Sequence, residues 1–277
     1  MHPLASADTR RLLLAGDTHA SLASVRALVD AAVIESAAVI IQLGDFGYWT
    51  HTATGRTFLE GVDRELAAAG LLLVFIDGNH ENHDLLRQNP ADGTGFVPVA
   101  TSVYWAPRGH RWVWEGTTFV SLGGASSLDR RLRTPGKSWW PEEALTEDDV
   151  AAATAAGPAD VVLAHDAPPG VLDLAALRAK AEASLSPPAL KLLRRLASEE
   201  EIELVRRNRA LLGSAIEVLR PAWLFHGHYH HRHDSVLALE DGGRVAVCGL
   251  DRDGTGERQW TVVETAGLSR RDLIPAG

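Results

Sequence analysis

Seven side chains able to hold divalent cations are spread through the chain in five short blocks: Gly16-Asp17-Thr18-His19, Gly44-Asp45, Gly78-Asn79-His80-Glu81, His165, and Gly227-His228-Tyr229-His230. Each block is commonplace alone, and a single histidine more often satisfies a packing or hydrogen-bonding need than it binds anything. Their order and setting are what count, because every block follows an apolar run. A mixed carboxylate, amide and imidazole set suits borderline divalent ions such as Mn, Fe or Zn, whereas an all-oxygen set would suit Mg or Ca.

The apolar runs are the elements that must position these residues. Leu12-Leu13-Leu14, Val39-Ile40-Ile41, Leu71 to Ile76, Val161-Val162-Leu163 and Trp223-Leu224-Phe225 read as buried strands. The stretches after Ser21 and over 56–69 carry apolar residues at helical spacing, so the first half reads as strand, loop, helix, repeated. Continuous apolar strands separated by amphipathic helices indicate a βαβ sheet, and right-handed crossovers bring the loops after its strands to one edge. Residues far apart in sequence then meet in space.

Elsewhere the texture changes. From Ser102 to Ala125, aromatic and β-branched pieces broken by Gly109 and Gly116 predict antiparallel hairpins. Pro141-Glu142-Glu143 predicts a helix start. Residues 170–218 predict a helical insertion or flank interrupted at Pro187-Pro188, and Ser235–Leu239, Val245–Val247 and Trp260–Val263 predict a second strand-rich half. With 277 residues and 45% hydrophobic content the chain fits one domain over residues 1–277.

The net charge of −9 disfavours a protein that lives on the nucleic-acid backbone. Cys248 is the single cysteine, which excludes an intrachain disulfide and a thiolate-rich metal site and fits a reducing compartment. Residues 1–10 hold no apolar run of signal-peptide length, and no stretch approaches the roughly 18–20 apolar residues of a membrane span. The expected location is cytoplasmic, with no membrane partner.

Together the five blocks, stretching from Gly16 to His230, resemble the calcineurin-like metallophosphoesterase family, in texture most like uncharacterised bacterial and phage members. The resemblance implies a four-layer α/β/β/α sandwich with a dinuclear site at the C-terminal ends of its strands. It implies one metal on Asp17, His19 and His230, a second on Asn79, His165 and His228, and Asp45 bridging both. Two such ions clamp phosphoryl oxygens and supply a bridging hydroxide for in-line attack, so the implied activity is hydrolysis of a phosphate monoester or diester. His80 resembles the family's non-ligand histidine, which protonates the leaving oxygen or stabilises charge in the transition state.

One departure concerns substrate. Protein phosphatases of the family follow the Gly-Asp block with an orienting Asp and a phosphate-gripping Arg, whereas here Asp45 is followed by Phe46-Gly47-Tyr48-Trp49. Arg130, Arg131 and Arg133 are candidates for the missing grip, since a guanidinium fork matches phosphate oxygens. Trp139 or Trp140 beside them is a candidate surface for a base or aromatic group. The expected substrate is a small nucleotide or phosphodiester. Nuclease or protein-phosphatase activity is the alternative within the family, and a non-catalytic metal-supported scaffold the alternative outside it.

Overall fold

A computed structural model describes residues 2–176, 186 and 198–269. The first sheet has the order β12-β1-β2-β3-β5-β4, built from Arg11–Ala15 (β1), Val39–Gln42 (β2), Leu72–Phe75 (β3), Val97–Pro98 (β4), Val103–Trp105 (β5) and Trp260–Glu264 (β12). The second has the order β10-β11-β9-β8-β7-β6, built from Arg111–Trp114 (β6), Thr117–Leu122 (β7), Val161–Ala164 (β8), Trp223–His226 (β9), His233–Ala238 (β10) and Arg244–Gly249 (β11). Strands β1, β2, β3 and β5 run parallel, as do β7, β8, β9 and β11.

Alternation along the strands sorts the core into three layers. Leu12, Leu14, Val39, Ile41 and Val74 of the first sheet face Phe119, Val161, Leu163 and Phe225 of the second. On the opposite face, Leu13, Ile40, Leu73 and Phe75 pack under helices Leu22–Ile34 (α2) and Ala53–Ala69 (α3), which follow the short N-terminal helix Pro3–Ser6 (α1). Val120, Val162, Leu224 and Val247 pack under Glu147–Thr154 (α5) and Glu199–Leu219, here called α6; the six-residue α4, His83–Gln88, follows β3. The expected α/β/β/α sandwich is therefore the one observed.

Three local expectations are corrected. Val103–Trp105 does not pair with the strands that follow it; it joins the first sheet, parallel to β3 and antiparallel to the preceding β4, and the antiparallel hairpin of the expected stretch is β6 with β7. Pro141–Glu143 is a single 3₁₀ turn, because the helix proper begins at Glu147 behind a capping box made by Thr146 and Asp149. Trp260–Glu264 crosses to the first sheet, pairing antiparallel with β1. In the expected helical segment, α6 accounts for 199–219, while the Pro187-Pro188 interruption lies outside the described residues. Among the described residues no helix is long and apolar enough to cross a membrane.

Candidate metal centre

The five blocks sit at the C-terminal ends of β1, β2, β3, β8 and β9, and the packing of the two sheets brings them together. Asp17 is fully buried and Asp45 nearly so. Asp17 Oδ2 lies 3.1 Å from His230 Nε2 and 3.7 Å from His19 Nε2. Asp45 Oδ2 lies 3.6 Å from His19 Nε2, and its Oδ1 is 3.4 Å from His165 Nε2. His165 Nε2 also faces Asn79 Oδ1 at 3.1 Å, and the His165 and His228 rings are 4.9 Å apart. Asp17, His19 and His230, and separately Asp17, Asp45 and His165, each offer donor atoms within 4.8 Å of one another, an arrangement able to hold a metal ion.

Two glycines permit this approach. A Cβ at Gly44, whose φ is +91°, would collide with the His165 ring, and one at Gly78 would collide with the Asp45 carboxylate. Four of the site residues adopt left-handed backbone that L-residues rarely take: His19 (φ 44°), Asp45 (54°), His228 (68°) and His230 (48°). The turns that aim these side chains inward are thus held against local preference.

The electrostatics follow from two buried carboxylates. Burial opposes ionisation of Asp45, yet the neighbouring His165 and His80 hold it well below the ordinary range. Burial likewise opposes charge on His165, but Asp45 and Asp17 raise it to about 10. His19 is lifted to about 9 against burial by Asp45 and Asp253. His228, buried and facing His165, is pushed down to about 4. The pair of carboxylates attracts positive charge, and oxygen and imidazole nitrogen donors converge on the space between them, so the donor set fits divalent cations.

Further residues fix this set from behind. Asp253 accepts from His19 Nδ1 at 2.8 Å, and the Leu43 carbonyl accepts from His165 Nδ1 at 2.7 Å. Each leaves the other ring nitrogen facing the cluster. Glu81 is fully buried and accepts from the backbone N–H groups of Gly47 (3.1 Å) and Gly78 (2.6 Å), clamping two of the loops together. Burial and the Asp45 charge push its carboxyl up to about 8. Asp166 accepts from Tyr229 Oη at 2.5 Å and Asn208 Nδ2 at 2.7 Å rather than from His165. His226 is buried and its Nδ1 lies 3.0 Å from the adjacent Gly227 carbonyl oxygen.

His80 stands at the rim, 34% exposed in its side chain, with Nε2 3.9 Å from Asp45 Oδ2. The Trp49 indole N–H donates to its carbonyl, and Arg133 Nη2 donates to its Nε2 at 2.7 Å. Burial lowers the His80 imidazole below its ordinary value, and Arg133 adds to the effect. Of the three arginines singled out in the sequence, Arg133 alone reaches this position. Arg130 and Arg131 are tied to Glu200 and Glu201 at the start of α6, at 2.5–3.0 Å. Arg130 also lies over the Trp139 ring, and the Trp140 indole N–H donates to Asp84 at 2.8 Å.

Asp253, Ser127 and Glu143 were not anticipated as parts of the site. Ser127 and Asp253 lie in the loops after β7 and β11, which end at the same edge as the five blocks. No signal in the sequence marks them, since the pairing of β7 with β8 and of β11 with β9 that brings these loops to the site is set by the tertiary fold.

No family model matches the sequence, and no curated protein matches it. Solved structures do. The crystal structure of TT1561 of Thermus thermophilus aligns with a TM-score of 0.51 at 13% identity, covering 93% of this chain and 100% of that one. A second crystal structure aligns at 0.52 and 11% identity, covering 92% and 99%. That of a dimetal phosphatase from Danio rerio aligns at 0.47 and 15% identity, covering 88% of each chain. At such identities the likeness is one of fold, and this chain shares its α/β/β/α fold with the first two structures.

Proposed function

We propose that this chain, acting as one domain, is a metal-dependent phosphoesterase of the calcineurin-like kind. Asp17, His19 and His230 hold one divalent ion, Asn79, His165 and His228 a second, and the Asp45 carboxylate, with two oxygens, serves both. The observation that carries this reading is that Asp17, His19, Asp45, His165 and His230 bring donor atoms together in two overlapping groups, with Asn79 and His228 packed against His165. The ions supply Lewis acidity, polarising the phosphoryl oxygens and lowering the pKa of water.

The chain's own residues do the rest. The two buried aspartates and their imidazole neighbours keep the ligand atoms aimed inward. His80, held at the rim by the Trp49 indole, delivers a proton to the departing oxygen when its imidazole carries one, its Nε2 being freed once Arg133 turns to the substrate, or stabilises the charge developing there. Arg133 offers guanidinium hydrogens to the phosphoryl oxygens once a substrate displaces its contact with His80. A cavity of about 360 Å³ opens beside His80, lined by Trp49, His51, Arg133, Lys137 and Trp140. On this reading it takes the leaving group of the phosphoester. Its size suits a nucleoside or similar small group, which favours a small nucleotide or phosphodiester as substrate.

Hydrolysis of p-nitrophenyl phosphate and bis-p-nitrophenyl phosphate by metal-stripped protein, with and without Mn²⁺, tests the reading. Manganese-dependent turnover that disappears in Asn79→Ala is expected. His80→Asn is expected to keep the metal content while turnover falls about 10²–10⁴-fold. A metal-replete chain inactive on both esters and on nucleotide esters would instead favour a scaffold that keeps metals without turnover.

A further inference from the structure

An asparagine that binds a metal has a wrong end. Its amide oxygen can ligate, but its NH₂ group has no lone pair to offer, and a half-turn about the last side-chain bond exchanges the two. Asn79 Nδ2 donates to Ser127 Oγ at 2.9 Å, and this leaves Oδ1 facing His165. A serine hydroxyl alone could not enforce that choice, because it can donate as readily as it accepts. Glu143 removes the ambiguity. One of its oxygens accepts from the Ser127 hydroxyl and the other from the Ser127 backbone N–H, both at 2.8 Å. With Glu143 ionised, the Ser127 proton is committed to it, and Ser127 presents only lone pairs to Asn79.

Glu143 is itself fixed. It is 3% exposed, its backbone carbonyl accepts from Arg108 Nη2 at 2.9 Å and from the Ala125 N–H at 3.0 Å, and Arg133 lies 3.7 Å from its carboxylate. We infer that Ser127 and Glu143 are positioning residues that set the orientation of the Asn79 amide and thereby the affinity of one metal position. The inference rests on Asn79 being a metal ligand.

Calorimetric titration of Mn²⁺ into the metal-stripped chain separates the two ideas. Ser127→Ala is expected to lower the affinity of one metal position about 10–100-fold and leave the other unchanged, and Glu143→Gln to act in the same direction. In an Asn79→Asp background the carboxylate presents an oxygen either way round. There, Ser127→Ala should change affinity by less than about twofold, since the coupled pair no longer has an orientation to lose. An equal loss in both backgrounds would make Ser127 a packing residue and overturn the inference, as would no loss in the Asn79 background. If Ser127→Ala fails to fold, judged by circular dichroism, Glu143→Gln in the two backgrounds decides by the same comparison. Retained Mn²⁺ affinity in Asn79→Ala would overturn the ligand assignment instead.

Discussion

Replacing Arg108 by Met should be among the most damaging single changes in this protein, although Arg108 touches no proposed ligand. Its side chain is 4% exposed and Asp77, its partner, 1%. Arg108 Nε donates to Asp77 at 2.8 Å, Nη1 reaches Asp149 at 3.2 Å, and the carbonyls of Glu142, Glu143 and Ala144 accept at 2.8–2.9 Å. Met fills similar volume but leaves a buried carboxylate without its cation and the Glu142 and Ala144 carbonyls without their Arg108 donor, while Glu143 keeps only the Ala125 N–H. Removing one partner of a buried pair costs about 3–5 kcal/mol, a large part of a total stability of roughly 5–15 kcal/mol. For a chain of this size that corresponds to a melting-temperature loss of about 6–20 °C. Urea unfolding of metal-free protein, with the Asp77→Asn single variant and the double variant completing a cycle, measures it. The double variant should be more stable than the summed single losses by about 0.5–3 kcal/mol. A loss below about 1 kcal/mol for Arg108→Met, or strict additivity, would refute the view that Arg108 anchors the loop carrying Glu143.

Burial pushes His110 down to about 4 from an ordinary 6.5, so the unfolded chain binds its proton first as pH falls. Stability should drop between pH 6.5 and 4, and His110→Phe, which keeps the contacts with Phe96 and Trp112, should flatten that slope in calorimetry; parallel pH curves would argue against it. Arg133→Ala should lower kcat/KM about tenfold or more through the contact with His80. Arg130→Ala with Arg131→Ala should leave kcat/KM within about twofold while lowering stability, because the buried Glu201 carboxylate loses both its cations, and the reverse ranking in steady-state kinetics would place the grip elsewhere. Mn²⁺ at about 1,000 times its dissociation constant should stabilise the folded chain by about 4 kcal/mol; an unshifted melting curve in fluorimetry would count against a native metal site.

The strands that carry the candidate site were legible because each is an uninterrupted apolar run leading into polar residues, with a glycine between them in all but the run before His165, a pattern set by burial on both faces. Pairing partners were not. Val103-Tyr104-Trp105 has the side chains of a half-exposed hairpin, and nothing local records that it lies beside β3; Trp260–Glu264 gives no sign that it returns to β1. The same gap hid Ser127, Glu143 and Asp253. Each is an ordinary loop residue whose significance comes from the neighbour it supports, and that neighbour is set by the tertiary fold. Arg130 and Arg131 show the converse, since their charge is visible in sequence while Glu200 and Glu201, which neutralise it, lie some 70 residues away.

The left-handed backbone at His19, Asp45, His228 and His230 has a consequence for how such a chain would drift. Each strained residue opposes folding by roughly 1–3 kcal/mol, and glycine there would relieve it. The four positions are therefore ones where substitution makes the protein sturdier while removing a proposed ligand. A copy released from any demand for activity would tend to lose these side chains, rewarded by a higher melting temperature. A glycine scan of the four, read by melting temperature in metal-free protein, would show whether stability and purpose pull in opposite directions at each.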